Sequence, residues 1–126
     1  MYQFDAMILR WIDGDTCRVS ITIEPFGLTI TENVRVKGID APPSRSKDEA
    51  EKTKGINAKT YAESLAPIGT VVQLTTDETR PFEKYGRLLA KIALPDGHDF
   101  GVQMLNAGHA EAWDGAGPRP VVAGEG

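Results

Sequence analysis

The chain has 126 residues, 40% of them hydrophobic and 25% charged, which suits one domain with a modest core. Lys plus Arg number 14 and Asp plus Glu 18, a net charge of −4; this weighs against non-specific coating of nucleic acid, which needs many phosphate contacts, but leaves room for a cleft with a few placed arginines. Cys17 is the only cysteine, so an internal disulfide is excluded, and no apolar run has transmembrane length.

The N-terminus has no basic stretch leading into an apolar core. No signal peptide is expected in the form given, and the expected location is cytoplasmic, with a trimmed secreted form as the alternative. Tyr2 to Ile12 is apolar-rich and ends at Asp13-Gly14, a strong turn signal, which predicts a first strand. Cys17, Val19, Ile21 and Ile23 then alternate with Arg18, Ser20 and Thr22, a strand with one buried face. Pro25-Phe26-Gly27 makes a turn. Leu28, Ile30, Val34 and Val36 share one parity and Thr29, Thr31, Arg35 and Lys37 the other, which predicts a third strand antiparallel to the second.

Ser44 to Lys54 is charged with almost nothing apolar and is expected as a solvated loop. From Gly55, the positions of Ala58, Tyr61, Ala62 and Leu65 predict a helix of about three turns that ends before Pro67. Val71 to Thr76 is a fourth strand, Asp77 to Lys84 a loop, and Leu88 to Leu94 a fifth strand. Pro95-Asp96-Gly97 turns into a short helix over Val102 to Ala107, with Asp99 as N-cap and Gly108 as stop. The Gly/Pro-rich stretch 114–126 is expected as an extended or disordered tail after a domain over 1–113. The fold class is α+β, mostly β: a five-stranded Greek-key barrel of the OB type, with one helix between strands three and four and a short C-terminal helix.

Three stretches carry candidate chemistry: Ile12-Asp13-Gly14-Asp15-Thr16, then Val34-Arg35-Val36-Lys37-Gly38-Ile39-Asp40-Ala41-Pro42-Pro43, then Lys84-Tyr85-Gly86-Arg87-Leu88-Leu89-Ala90. In the second, a strand runs into a stiff double-proline turn and holds an arginine near an aspartate. That pairing suits phosphate bound through the guanidinium and a hard cation through the carboxylate. Taken singly, Arg35 reads as a cross-strand salt-bridge partner and Arg87 as a surface arginine. Asp13, Asp15 and Asp40 singly read as turn aspartates capping their own backbone. Trp11 and Cys17 read as core, His98 and His109 as surface.

In this order and spacing the three stretches resemble the staphylococcal nuclease-like (thermonuclease) family, with its D-G-D-T, V-R-x-x-x-I/V-D-x-P-E and Y-G-R-x-L-A motifs. The resemblance runs from about Ile8 to Trp113. It implies the OB barrel and a metal-dependent nuclease acting on single-stranded DNA or RNA, with no membrane and no obligate protein partner. Asp15 and Asp40 would bind Ca²⁺ with the backbone carbonyl of Ala41. Arg35 and Arg87 would clamp the phosphate, staying charged while its oxygens gain negative charge. Tyr85, with Lys84 beside it, and Trp113 would contact the nucleotide. Trp113 reads equally as a core residue packing the last helix, and Asp13 keeps its turn role.

The family has glutamate after the proline, where this chain has Pro43. That glutamate activates or orients the attacking water. Proline has no acid, no acceptor side chain and no N–H. Three consequences are open: hydrolysis without that base, a carboxylate reaching in from Asp48, Glu49 or Glu51, or binding without cleavage. Loss of a general base costs about 10²–10⁴-fold in rate, so the first reading is a weakened Ca²⁺-dependent nuclease. The alternatives are a catalytically silent OB module that binds nucleotide or single strands, and a protein-interaction barrel.

Overall fold

The computed structural model describes residues 2–77, 82 and 86–114. Five strands close a barrel in the order β1 (Tyr2–Asp13), β2 (Thr16–Ile23), β3 (Leu28–Val36), β6 (Leu88–Ala93), β5 (Val71–Thr76). All neighbours are antiparallel except β3 and β6, and β5 pairs back onto β1. This is the expected OB-type barrel. Closure leaves the barrel itself no open edge. The main helix, α1 (Glu49–Leu65), lies between the third and fourth barrel strands, and α2 (Phe100–Asn106) follows the fifth. No helix among the described residues is long and apolar enough to cross a membrane.

The alternation in β1 carries a shift that the sequence pattern hides. Ala6 and Ile8 face inward at period two, but the next buried residue is Trp11. The register against β2 slips between Ile8 and Arg10, a bulge that re-aims the strand. Trp11 thereby enters the core, stacks on Phe100 at 4.7 Å and donates its indole N–H to Ala66 O at 2.8 Å. Cys17 lies on the buried face of β2, and burial pushes its thiol up to about 12, so it is inert core. Leu28 and Ile30 differ from expectation: they are exposed, and only Val34 and Val36 of that parity are buried. Ile30 lies opposite the buried Ile21 and lines an open apolar cavity with Phe4, Ile23, Phe82 and Leu88.

Two further strands fall below any periodicity signal. β4 (Ile39–Asp40) and β7 (Glu111–Ala112) pair antiparallel, with Asp40 opposite Glu111. The helix also begins six residues earlier than expected. Asp48 caps it, accepting from Ala50 N–H at 3.0 Å, and Glu49 and Glu51 occupy its first turn. The supposed loop 49–54 is therefore helix. Its first turns are exposed, so they need no apolar residues and show no hydrophobic period. His109 is likewise not a surface residue: it is half-buried, its ring lies 4.8 Å from Tyr61, and its Nδ1 is buried with no hydrogen-bond partner among the described residues. Of the expected tail only Asp114 is described, and residues 115–126 lie outside the described residues.

Candidate active site

Arg35 is the centre of the site. It sits near the end of β3, paired with Thr16 of β2 on one side and Leu89 of β6 on the other. A residue between two neighbouring strands loses water on both flanks, and Arg35 is only 8% exposed. A buried guanidinium must be paired and hydrogen-bonded. Its Nη2 donates to Asp40 Oδ1 at 3.2 Å, its Nη1 donates to Val36 O at 3.0 Å, and Nη1 lies 3.4 Å from Asp15 Oδ2. The fold thus places one guanidinium between two buried carboxylates.

The two carboxylates are held in different ways. Asp15 follows the β1–β2 turn; it accepts from Thr16 Oγ–H at 2.9 Å and from Ala41 N–H at 2.8 Å. Gly14 lets that turn pack tightly, since a Cβ there would lie 3.0 Å from Ala58 Cβ and 3.2 Å from Ala41 Cβ. Asp40 is fixed by the β4–β7 pairing. Burial pushes the Asp15 carboxyl above its ordinary range, against the pull of Arg35, Ala41 N–H and Thr16, with Asp40 adding to the rise.

Arg87, just before β6, reaches Thr16 Oγ1 with its Nη1 at 3.5 Å. Thr16 therefore stands between Arg87 and Asp15. Trp113 donates its backbone N–H to Gly38 O at 3.0 Å, and its ring lies 5.8 Å from the Arg35 guanidinium carbon, in cation–π range. Of the two roles open to Trp113, the half-buried ring stands beside Arg35 rather than deep in the core. Asp15, Arg35, Asp40, Ala41, Arg87 and Trp113 thus converge. Lys84 and Tyr85 lie outside the described residues.

Pro43 is half-buried beside this cluster, backed against α1 at Gly55. Of the carboxylates considered as substitutes, Asp48 caps the helix, and Glu49 and Glu51 stand exposed in its first turn. Asp13 is more than a turn residue, because its Oδ1 accepts from Ser44 N–H at 2.8 Å and from Ser44 Oγ–H at 2.7 Å. Three participants carried no role in the sequence reading. Thr16 was visible within D-G-D-T. Ser44 and Glu111 had no signal, since each gains its place from a tertiary contact.

The donor chemistry fits a hard cation. Two buried carboxylates supply oxygen, and such ions accept water for the rest of their shell. Among the described residues no group of three or more His, Cys, Asp or Glu could hold a metal, so a site here would rest on few protein ligands. Arg35 already offsets part of the negative charge of the two carboxylates.

The family model for staphylococcal nuclease homologues matches residues 33–119, more than half of the chain. That span contains Arg35, Asp40 and Arg87, and it starts after the Asp13–Thr16 turn, which the barrel brings to them. No curated protein matches the chain. With the barrel, the motif order and the family match in agreement, the chain belongs to the staphylococcal nuclease homologue family, whose functions are nuclease-like or nucleic-acid-binding in general.

Proposed function

We propose that the chain is a Ca²⁺-dependent phosphodiesterase of single-stranded DNA or RNA, slowed by Pro43. The observation that carries this reading is the buried Arg35 held between Asp15 and Asp40, with Arg87 across Thr16. Asp15, Asp40 and the Ala41 carbonyl would hold the cation, which when bound supplies positive charge to polarise the phosphate. Arg35 and Arg87 would grip the non-bridging oxygens, bidentately and without losing charge. Their fixed placement contributes most where charge develops in the transition state. Trp113 would give a base or sugar an apolar wall that tolerates any sequence. Water would attack phosphorus as the leaving oxygen departs, and its proton would pass to solvent, because residue 43 offers no acceptor.

A second reading is favoured by one observation, the rigid non-ionisable Pro43: a module that binds single strands or nucleotides without cleaving them. The test is cleavage of a labelled single-stranded oligonucleotide with and without Ca²⁺, for wild type, Arg87→Ala and Pro43→Glu. Slow Ca²⁺-dependent cleavage is expected, abolished by Arg87→Ala and raised by Pro43→Glu by up to about 10²–10⁴-fold. Wild-type cleavage that survives Arg87→Ala would come from elsewhere. No gain in a folded, Ca²⁺-binding Pro43→Glu would put the binding module first.

A further inference from the structure

We propose that Asp13 and Ser44 form a clasp that positions the Ala41 backbone, so that the D-G-D turn grips the site loop at two points. Pro42 and Pro43 have no N–H. The successive backbone donors of this loop are therefore Ala41 and Ser44. Both are answered by carboxylates of one turn: Ala41 N–H by Asp15 Oδ2 at 2.8 Å, and Ser44 N–H by Asp13 Oδ1 at 2.8 Å. The Ser44 hydroxyl adds a second donor to Asp13 Oδ1 at 2.7 Å, and Ser44 is 9% exposed, so little water competes.

The opposite side of the loop is closed too. α1 presents Gly55, where a Cβ would overlap the Pro43 carbonyl and lie 2.6 Å from Ser44 N. Residues 41–44 are thus tied at both ends, backed by a helix and stiffened by two proline rings. The clasp explains why a proline is tolerated at 43: in this chain that residue holds the loop rather than reacting. Asp13 acts through Ser44 and is a positioning residue. The inference rests on the proposed role of Asp40 and Ala41 toward a cation, but the clasp has its own readout.

The test combines calorimetric Ca²⁺ titration with hydrogen exchange of the Ala41 amide in Ca²⁺-free protein. The proteins are wild type, Asp13→Asn, Asp13→Ala and Ser44→Ala. An amide oxygen still accepts from Ser44 N–H, so geometry predicts rescue by asparagine. Asp13→Ala is expected to weaken Ca²⁺ binding by about tenfold, with Asp13→Asn within about threefold of wild type and Ser44→Ala between them. Asp13→Ala should also speed exchange at Ala41, although its own partner Asp15 is untouched. Unchanged Ala41 exchange in Asp13→Ala overturns the clasp, whether or not Ca²⁺ binds. Asp13→Asn behaving as badly as Asp13→Ala overturns it as well, since the Asp13 charge would then act directly. Wild type that binds no Ca²⁺ yet shows the Ala41 effect would keep the clasp and remove the cation reading. If Asp13→Ala does not fold, faster Ala41 exchange in Ser44→Ala than in Asp13→Asn supports the clasp, and equal exchange overturns it.

Discussion

Asp15 is under opposed influences. Burial raises its pKa, while Arg35, Ala41 N–H and Thr16 hold it down; burial wins. The folded chain therefore keeps the Asp15 proton to higher pH than the unfolded chain. Stability from this group is greatest in acid, falls as pH rises past the unfolded carboxylate value, and levels off above the folded one. Asp15→Asn removes that fall while Asp40 still pairs Arg35. Melting curves for the two proteins should nearly coincide below about pH 4, and the variant should melt higher near about pH 7. Parallel pH profiles would mean that Asp15 ionises as easily folded as unfolded.

At the scale of elements, α1 and the loop before it depend on one another. The helix buries Gly55, Ala58 and Ala62, a stripe of small residues that lets the Asp13–Asp15 turn and the Pro43 segment approach its backbone. Alanine at an exposed helical glycine would stabilise by about 1 kcal/mol. At Gly55 the added methyl meets the Pro43 carbonyl, and such overpacking costs about 1–3 kcal/mol. Gly55→Ala should therefore lower the thermal midpoint, while Thr60→Ala, exposed on the same helix, should raise it slightly. A rise in both would show that Pro43 does not bear on the helix. The early start of α1 had a sequence signal that periodicity overlooked: Asp48 followed by Glu51, an acidic N-cap with glutamate three residues on. The signal lay in polar residues, and an apolar count passes over it.

At the scale of the molecule, the site lies within an acidic chain of net charge −4. One guanidinium serves two carboxylates, so a cation must share them with Arg35 rather than fill an uncompensated pair. A ligand that binds only the native state still stabilises it, by about 2.7 kcal/mol at a hundred times its dissociation constant. Millimolar Ca²⁺ should raise the wild-type thermal midpoint by several degrees and leave Asp40→Ala unmoved. Equal responses in the two proteins would place any bound Ca²⁺ elsewhere on the acidic surface.

Local regularities determined the barrel. Period-two alternation in β2, the Asp13-Gly14 and Pro95-Asp96-Gly97 turns, and helical spacing from Ala58 to Leu65 each follow from side-chain geometry within a few residues, and those are written in the sequence. The arginines and aspartates were legible as candidates because their motifs are local as well. Tertiary structure alone decided how they meet. Arg35 pairs with Asp15 and Asp40 only once β2, β3 and β4 are assembled, and Asp13 finds Ser44 only when the site loop is pressed against Gly55. The bulge that turns Trp11 inward and the pairing of Asp40 with Glu111 are also products of assembly. The physical reason is common to all of these. Residues distant along the chain share a buried, weakly screened space, where each polar group must find a partner, and the fold rather than the local sequence determines which partner is in reach.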